Sequence, residues 1–424
     1  MIFSKPIFTS LSPNTEKDDI VLAFKLIFQP WRWKKGDSIQ KLEKEFRSYL
    51  GVNNVFVFNS GRSALLAILD SLEIGEGDEV LLQGFTCNAA INPILKSGAK
   101  PVFVDIDDTL NLDPNDLKKK ITFNSKVVMI QHSFGWPAQI DEIVKIAKEN
   151  NLFLIEDCAH ALGARYKEKL CGTFGDASFF SFGRDKIISS VFGGLAVANN
   201  DQLGKKIVAF QERIKYPSNP WILQQLLHPL LTNYIVMPAY ALSAALGRLV
   251  LGFLHIVSIL SKAVYRKEKK GELVKQFPKQ FPNALAVLAL NQFKKLERFN
   301  KHRREIASFY QKGIEKDNFI LPFDKEKIIV DPVFIRYPVL TTNDTDHILK
   351  WARKRKIFLD DGWRKSPVVP IDTDLEKMNY QLDSCPRAEK ISQSIINLPT
   401  HINISQKDAK KVINLVNEYT RDKR

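Results

Sequence analysis

The sequence predicts an α/β protein with a mostly parallel central sheet and a smaller α+β C-terminal domain. Strand patterns alternate with helix patterns from residue 52 to residue 158, which favours crossover units and a parallel sheet covered on both faces. The 424 residues exceed what one small core needs, so we expect two domains. With 45% apolar and 26% charged residues, the composition is typical of a folded globular protein.

The predicted elements follow in order along the chain. Residues 1–35 form an arm with some helix, which runs into the aromatic and basic segment WRWKKG. Helix patterns, with apolar residues three and four positions apart, cover Ser38–Leu50, Ser63–Leu72, Asn88–Gly98 and Asp141–Asn151. Strand patterns, some of which run into a turn or loop, cover Val52–Gly61, Asp78–Cys87, Lys100–Asp107, Lys126–Gly135 and Leu152–Cys158.

The change of pattern along the chain divides it into four regions. After Ala196 the alternation stops, and mixed strands and helices return from about Ile329. We therefore expect an N-terminal arm (1–35), a large domain (36–215), an apolar helical insert (216–275) and a small C-terminal domain (276–424). The large domain is expected to carry the ligand site, because ligands bind at the carboxyl ends of parallel strands. Gly61, Phe85, His132 and Asp157 all follow strand patterns and could converge there.

A carboxylate and a lysine in the large domain predict a pyridoxal phosphate (PLP) site. Asp157 ends an apolar strand in IEDCAHALGA, and Lys186 follows a Ser/Phe/Gly turn in GDASFFSFGRDK. PLP chemistry needs a lysine that forms a Schiff base with the aldehyde. It also needs a carboxylate that keeps the pyridine nitrogen protonated, so that the ring acts as an electron sink. Together, in this order, Asp157 and Lys186 predict a PLP enzyme in which Lys186 is catalytic.

Other residues near this pair are candidates for holding the cofactor. Ser60–Ser63 lies between a strand and a helix, where backbone N–H groups, hydroxyls and Arg62 suit a phosphate. Ser181 could contact the same phosphate, and His160 could donate a hydrogen bond to the ring hydroxyl. Each residue also has an ordinary structural interpretation. Asp157 could cap a helix or form a structural ion pair, and Lys186 could lie on the surface. Ser60 or Ser63 could be a helix cap, Ser181 a turn hydroxyl and His160 a core histidine.

Charge and cysteine content indicate which partners, which compartment and which kind of site the protein could have. The net charge of +15 is compatible with nucleic acid, anionic membrane or anionic small molecules as partners, but no nucleic-acid-binding motif is present. Four cysteines without framework spacing favour a reducing compartment and argue against a structural zinc site. The N-terminus has no continuous apolar run, so no signal peptide is expected. We therefore predict a cytoplasmic protein with no metal at its site.

Segments along nearly the whole chain resemble the sugar-nucleotide aminotransferases of the DegT/StrS type, which are PLP enzymes of fold type I. The resemblance rests on many short segments in the same order. They are SGRSAL, GDEVLLQGFTCNAA, GAKPVFVDID, HSFGWPAQID, IEDCAHALGARY, GTFGDASFFSFGRDK, FGGLAVANND and SCPRAEKISQSIINLPTH.

The resemblance implies both an activity and residue roles. Lys186 is then the Schiff-base lysine and Asp157 the partner of the pyridine nitrogen, while His160 stands where Gln is common. Gly61, Arg62, Ser63 and Ser181 lie in the phosphate-binding segments. The implied reaction moves an amino group from glutamate to a keto group of a nucleotide-linked deoxysugar, in a homodimer with sites at the subunit interface. A lysine at position 186, where some members carry His and eliminate water, favours transamination.

The sequence departs from the family pattern at two positions, and the family's substrate-side aromatic–histidine motif is not evident in DDGWRKSP (Asp360–Pro367). These departures keep other functions open. Arg62 replaces a common Thr, and Cys87 stands where an aromatic residue usually stacks on the cofactor ring, so Phe85 or Cys87 would have to pack against it. One alternative is a protein of the same fold that acts as a dehydratase or binds the cofactor without turnover. Another is a membrane-peripheral scaffold in glycan assembly, because fold alone does not settle function.

The segment Gln224–Ser261 is unusually apolar for this position. It is long enough for one membrane-spanning helix, but Pro229, Pro238, Asn233 and Arg248 interrupt it. Three interpretations are open: a buried helical pair at a domain or dimer interface, a helix or hairpin lying on a membrane beside the basic patch Lys262–Lys270, and a true span. The second would place the protein at the inner face of the membrane.

Overall fold

The structure, a computed structural model, describes residues 5–272, 274–316, 319–323 and 329–421. Its strands are β1 (Ile7–Phe8), β2 (Asn54–Phe58), β3 (Glu79–Gln83), β4 (Thr86–Cys87), β5 (Lys100–Val104), β6 (Ser125–Gln131), β7 (Phe153–Asp157), β8 (Arg165–Tyr166), β9 (Lys169–Leu170), β10 (Ala177–Ser181), β11 (Gly194–Ala198), β12 (Phe319–Ile320), β13 (Val330–Asp331), β14 (Arg336–Thr341), β15 (Ile357–Phe358), β16 (Val368–Val369) and β17 (Ile395–Pro399). Its α-helices are α1 (Lys17–Ile27), α2 (Ser38–Leu50), α3 (Gly61–Ser71), α4 (Asn88–Ser97), α5 (Pro114–Lys120), α6 (Ile140–Glu149), α7 (Asp201–Arg213), α8 (Asn219–Leu231), α9 (Met237–Leu242), α10 (Ala244–Ile256), α11 (Asn283–Phe293), α12 (Leu296–Gly313), α13 (Thr345–Lys354), α14 (Pro386–Ser394) and α15 (Gln406–Arg421).

A seven-stranded sheet forms the centre of the protein, in the order β2-β11-β10-β7-β6-β3-β5. The pairs from β10 to β5 are parallel, and β11 runs antiparallel to both of its neighbours. The predicted α/β fold with a mostly parallel sheet is therefore confirmed. Each β–α–β crossover brings the chain back to the same edge, so the carboxyl ends of β6, β7 and β10 lie side by side.

Local sequence explains where the key elements begin and end. Helix α2 ends at Gly51, whose φ of 69° is left-handed and favours glycine. Helix α3 begins after Ser60, whose side chain accepts a hydrogen bond from the Ser63 N–H. Strand β7 is buried from Leu154 to Asp157 because helices cover both faces of the sheet. These boundaries place Gly61 and Asp157 at the edge where ligands bind in such sheets.

A second hydrophobic cluster lies in the C-terminal part of the chain. Strands β12, β14 and β17 form an antiparallel sheet, and α12, α13 and α15 contribute buried residues to the same cluster. This is the smaller α+β unit that the sequence predicts. Helix α11 lies beyond the predicted boundary at residue 276, yet its buried residues pack in the first cluster. The four-region division therefore stays a prediction.

The apolar insert is helical and consists of α8, one π-helical turn (Thr232–Val236), α9 and α10. Its inner side forms a third cluster, in which the Tyr240 ring packs edge-on against Phe8 and Phe358 at centroid distances of 5.0 and 5.2 Å. Among the described helices, none has the length and apolar character needed to cross a membrane. The sequence-based alternative of a true span is therefore not supported.

Candidate active site

A cavity of about 360 Å³ opens at the carboxyl edge of the central sheet. Its wall includes Asp157 at the end of β7, Ser181 at the end of β10 and Gly61 at the start of α3. Lys186, from the loop after β10, lines the same cavity. The fold thus brings together the two residues on which the sequence-based hypothesis depends most, Asp157 and Lys186.

Asp157 is almost completely shielded from solvent, with 5% of its surface exposed. Burial raises its pKa to about 6, and this shift is limited by the Ala159 N–H, which donates to Oδ1 at 2.9 Å, and by the nearby positive charges of Lys186 and His132. Because the charged form of this buried carboxyl group is costly, a cationic partner in the cavity would stabilise it. No helix of the described chain begins at Asp157, so its bond to the Ala159 N–H closes a local turn and is not the helix cap considered from the sequence.

Lys186 lies on a tight turn, in which its own N–H donates to the Gly183 carbonyl at 3.1 Å. Distant side chains fix this turn. Asn14 donates to the Lys186 carbonyl and, at 3.1 Å, to the Ile187 carbonyl. The buried guanidinium of Arg303 in turn donates to Asn14 Oδ1 at 2.7 Å and to the Ile187 carbonyl at 2.8 Å. Lys186 is half-buried. Its turn is held by the N-terminal arm and α12.

A chain of ion pairs begins at Asp185, the residue that precedes Lys186. Arg336 of β14 is buried and contacts Asp185 Oδ2 at 2.6 Å and Asp361 Oδ2 at 3.0 Å. Burial alone would raise the pKa of Asp185, but Lys186 and Arg336 outweigh this effect and lower it. Asp185 is thus held as a carboxylate next to Lys186. The sequence analysis did not single out Arg336 or Asp361, because they follow Lys186 by more than 140 positions in the chain.

The start of α3 forms another part of the cavity wall. A Cβ at Gly61 would lie 3.2 Å from the Ser181 Cβ, so the absence of a side chain keeps this corner open. Ser60 caps α3, and Ser63 is buried and donates to Asn59 Oδ1 at 2.7 Å. Ser63 does not line the cavity, whereas the helix start and the Ser181 side chain do. Ser181 Oγ also accepts from the Gly183 N–H at 3.3 Å, which is a turn contact.

Arg62 lines the cavity, but its guanidinium has partners within the protein. It donates to Glu268 Oε1 at 2.5 Å and to the Ala263 carbonyl at 2.6 Å, and it lies 4.6 Å from the centre of the Phe277 ring. This arrangement ties the segment after the insert to α3. The guanidinium therefore serves a structural contact, and the free anion-binding groups at this end are backbone N–H groups of the helix start.

An aromatic cluster surrounds His160 on another wall of the cavity. The imidazole lies almost parallel to the Phe134 ring at 6.0 Å and contacts the Trp363 ring at 4.9 Å. Burial, Lys186 and Arg336 lower the pKa of His160 well below its usual range, so the ring is neutral. Its Nδ1 atom is buried without a hydrogen-bond partner in the described structure. Trp363, which lines the cavity, was not among the residues predicted from sequence.

Phe85 and His132 do not take the positions in the pocket wall that their strand-end locations suggested. Phe85 is fully buried behind Trp363, with the two ring centres 5.7 Å apart. His132 lies in the core, where Nε2 is 3.2 Å from Glu156 Oε2 and Nδ1 accepts from the Ala138 N–H at 3.2 Å. The strand pattern predicts the edge of the sheet correctly, but it does not show which side chains point inward.

Cys87 lines the cavity and is half-buried. Burial raises the pKa of its thiol, so the group is a neutral, weakly polar wall atom. Its sulfur lies 3.7 Å from Asn88 Oδ1. Cys87, one of the two residues considered for packing against the cofactor ring, is therefore a small side chain. The aromatic groups Trp363 and His160 lie elsewhere on the wall.

The fold matches solved aminotransferases. PseC of Helicobacter pylori, described as an aminotransferase involved in the biosynthesis of pseudoaminic acid, superposes with a TM-score of 0.75 over 99% of this chain and 100% of its own, at 22% identity. The chain thus has an aminotransferase fold, with an aspartate and a lysine in the cavity at the carboxyl edge of the central sheet. The model of the DegT/DnrJ/EryC1/StrS aminotransferase family matches residues 14–217 and 261–417, and the chain belongs to this family. The resemblance stated from the sequence is confirmed.

Two relatives indicate the range of named functions in this family. A GDP-perosamine synthase of Escherichia coli O157:H7 is 29% identical over 395 residues, which are 93% of each chain. The spore coat polysaccharide biosynthesis protein SpsC of Bacillus subtilis is 30% identical over 313 residues, covering 73% of this chain and 70% of its own. The first name refers to a nucleotide-linked sugar, and the second to polysaccharide biosynthesis.

Proposed function

We propose that the protein is a PLP-dependent aminotransferase that moves an amino group from glutamate to a keto group of a nucleotide-linked deoxysugar. The observation that carries the proposal is the placement of Lys186 and buried Asp157 on one cavity, in a chain of an aminotransferase family. The names of the relatives support a role in surface polysaccharide or glycan biosynthesis. A homodimer and a cytoplasmic location are parts of the same proposal, and size-exclusion chromatography with light scattering tests the first.

The residues of the cavity fit PLP. The buried Asp157 carboxyl group suits a protonated pyridine nitrogen, and the unpartnered Nδ1 of His160 can pair with a polar ring substituent. The open corner at Gly61 and the start of α3 suit a phosphate, with Ser181 beside it. Lys186 would hold the aldehyde end. The cofactor, when bound, supplies an electron sink for the bonds of the amino-group carbon.

The side chains around Lys186 have defined tasks in this proposal. Lys186 Nζ is the atom that would accept and return a proton in the cavity. Asn14 and Arg303 hold backbone carbonyl groups of its turn, and Arg336 holds the Asp185 side chain next to it, so the position of the amine depends on groups far away in the sequence. Trp363 lines one side of the cavity, and the buried Phe134 ring packs behind it at a centroid distance of 5.5 Å, so this wall is apolar.

The visible absorbance spectrum of the purified protein tests the proposal. We expect an absorption band of lysine-bound PLP that decreases when glutamate is added, together with formation of 2-oxoglutarate. Lys186→Ala should lack the band and the reaction. Lys145→Ala removes a lysine that is 74% exposed and serves as the matched control, which should behave like the unaltered protein. A protein that stays colourless with added PLP, or a Lys186→Ala variant with full activity, would overturn the proposal.

A further inference from the structure

Helix α10 exposes a continuous apolar face. Leu246, Leu249, Phe253 and Ile256 follow one another at spacings of three and four residues, which places them on one side of the helix. Leu249, Phe253 and Ile256 are 70%, 60% and 82% exposed. Single exposed apolar residues are common, but a contiguous apolar patch marks a surface that binds something.

Further exposed apolar residues lie next to α10 in the chain. Tyr234, Ile235 and Leu242 precede the helix, and Val257 and Ile259 follow it. The opposite side of the insert is packed, because Val236, Tyr240, Leu254 and Leu260 are buried in the third cluster with Phe8. The outward face is therefore presented by a folded element that is anchored to the body of the protein.

Positive charge surrounds this face. The sequence has no Asp or Glu from Arg213 to Lys267, but it has Arg248 on α10 and Lys262 and Arg266 just after the insert. These three side chains have no ion-pair partner in the part of the chain that the structure describes. Lys356 of the C-terminal unit also reaches the insert and donates to the Ala241 carbonyl at 2.7 Å. The apolar face thus has a basic border.

The face lies in a segment that the family model does not match. The family model matches up to residue 217 and resumes at residue 261, so α8, α9 and α10 fall between the matched segments. Helix α10 has 13 residues and is therefore about 20 Å long, too short for a hydrocarbon core of about 30 Å. An apolar helix face with basic flanks suits a helix that lies in the plane of a membrane surface.

We propose that the apolar face of α10 docks the protein on the surface of a membrane that contains anionic lipids. Leu249, Phe253 and Ile256 enter the boundary between headgroups and acyl chains, and Arg248, Lys262 and Arg266 contact lipid phosphates. A second copy of the chain is the less suitable occupant, because a symmetric contact would bring two basic borders together. The proposal does not depend on the aminotransferase activity.

Vesicle flotation tests this docking. The unaltered protein should float with phosphatidylserine-containing vesicles at low salt, and less with pure phosphatidylcholine vesicles or at high salt, because the basic border is screened. The double variant Leu249→Gln and Phe253→Gln should lower the ratio of bound to free protein at least about tenfold, from lost apolar burial. The pair Arg248→Glu and Lys262→Glu should lower binding to anionic vesicles only.

A matched control separates this face from general exposure of apolar groups. Phe123 and Ile320 are 95% and 65% exposed elsewhere on the protein, so Phe123→Gln with Ile320→Gln should bind vesicles like the unaltered chain. All variants should keep their circular dichroism, thermal midpoint and response to glutamate. If the unaltered protein does not float, or binds both lipids equally, the proposal is overturned. It is also overturned if the Leu249/Phe253 variant changes only the oligomeric state, since the face would then bind a second copy.

Discussion

At Asp157 the fold places a carboxyl group where its charge is costly. An aspartate in an unfolded chain has a pKa of 3.8, whereas burial raises the pKa of Asp157 in the folded protein to about 6. The folded protein therefore binds this proton more tightly than the unfolded chain. In the absence of cofactor, the stability linked to Asp157 is full below about pH 4, decreases between pH 4 and 6, and stays low above.

The change Asp157→Asn is expected to separate stability from function. Without PLP, the variant should gain free energy of unfolding at pH 8, by up to about 3 kcal/mol, and gain little at pH 4, because the cost of the buried charge is removed. With PLP, it should bind the cofactor about tenfold more weakly, since a charge-assisted hydrogen bond is lost. Urea unfolding at both pH values and titration of the cofactor measure the two effects.

Asp383→Asn, at an exposed carboxyl group, is the control and should show neither effect. If Asp157→Asn destabilised the cofactor-free protein equally at pH 4 and pH 8, the buried carboxyl group would serve the local turn with Ala159 instead. That result would favour a purely structural role for Asp157 in this turn.

The sequence predicted some residues of the site and missed others for a physical reason. Asp157 and Lys186 could be predicted because each lies at the end of a recognisable local pattern. The groups that position Lys186 could not, because Asn14 and Arg303 lie 172 and 116 residues from the carbonyl groups that they contact. Such contacts depend on how the arm and α12 fold back onto the large sheet. Arg62 shows the opposite limit of sequence-based prediction. Its residue type suits a phosphate, but in the folded protein its guanidinium is paired with Glu268.

At the scale of elements, the insert depends on one close helix contact. A Cβ at Gly247 of α10 would overlap the Tyr240 ring of α9, which is itself packed against Phe8 and Phe358. Gly252, in the same helix, has no neighbouring atom within 4 Å of such a Cβ. The two glycines therefore have opposite roles although they lie only five positions apart.

Two alanine substitutions test this difference. Gly247→Ala should force α9 and α10 apart, at a cost of about 2 kcal/mol, and expose the insert to proteolysis. Gly252→Ala should stabilise α10 by up to about 1 kcal/mol, because alanine is the better helix former. Limited proteolysis and thermal unfolding compare the two variants. Equal behaviour would mean that the contact of Gly247 with Tyr240 does not hold the insert together.

Periodicity explains how much of each element could be predicted. From α2 to β7 the predicted strands and helices occur in the expected order, since each has an apolar pattern of its own, whereas the short polar helix α5 was not predicted. The two-residue strands β4 and β16 pair with each other in parallel and were not predicted, because two residues carry no period. The insert was predicted to be helical, but its apolar content could not tell the packed side from the exposed one.

At the scale of the whole molecule, the arm, the insert and the C-terminal unit meet around Phe8. Strand β1 pairs with β15, and the Phe8 and Phe358 rings stack at 4.5 Å beneath Tyr240. Strand β1 therefore connects two units that lie far apart in the sequence. The amphipathic patterns of each unit could be predicted from the sequence. The junction could not, because it is formed by two-residue strands and by contacts between single aromatic rings.

The insert nevertheless adds to a fold that is complete on either side of it. Gln224 Nε2 donates to the Ser258 carbonyl at 2.6 Å, so the chain enters and leaves the insert at neighbouring points. The cavity is lined by residues up to Gly193 and from Ala263 onward, and Ile222 and Leu226 of α8 belong to the first core cluster. The outer part of the insert can thus be removed without removing a wall of the cavity.

Replacing residues 230–257 with a short Gly/Ser linker should leave the half-reaction with glutamate intact. The shortened chain also carries Phe8→Ser and Phe358→Ser. Without these changes, removal of Tyr240 would expose both phenylalanine rings to solvent. The visible band, its decrease with glutamate and the release of 2-oxoglutarate should persist, while the thermal midpoint falls by several degrees as the third cluster is lost. The full-length chain with the two Phe→Ser changes alone is the control. If that control binds PLP and the shortened chain folds but does not, then the insert shapes the cavity, and the catalytic unit of this protein extends beyond the part that matches its family.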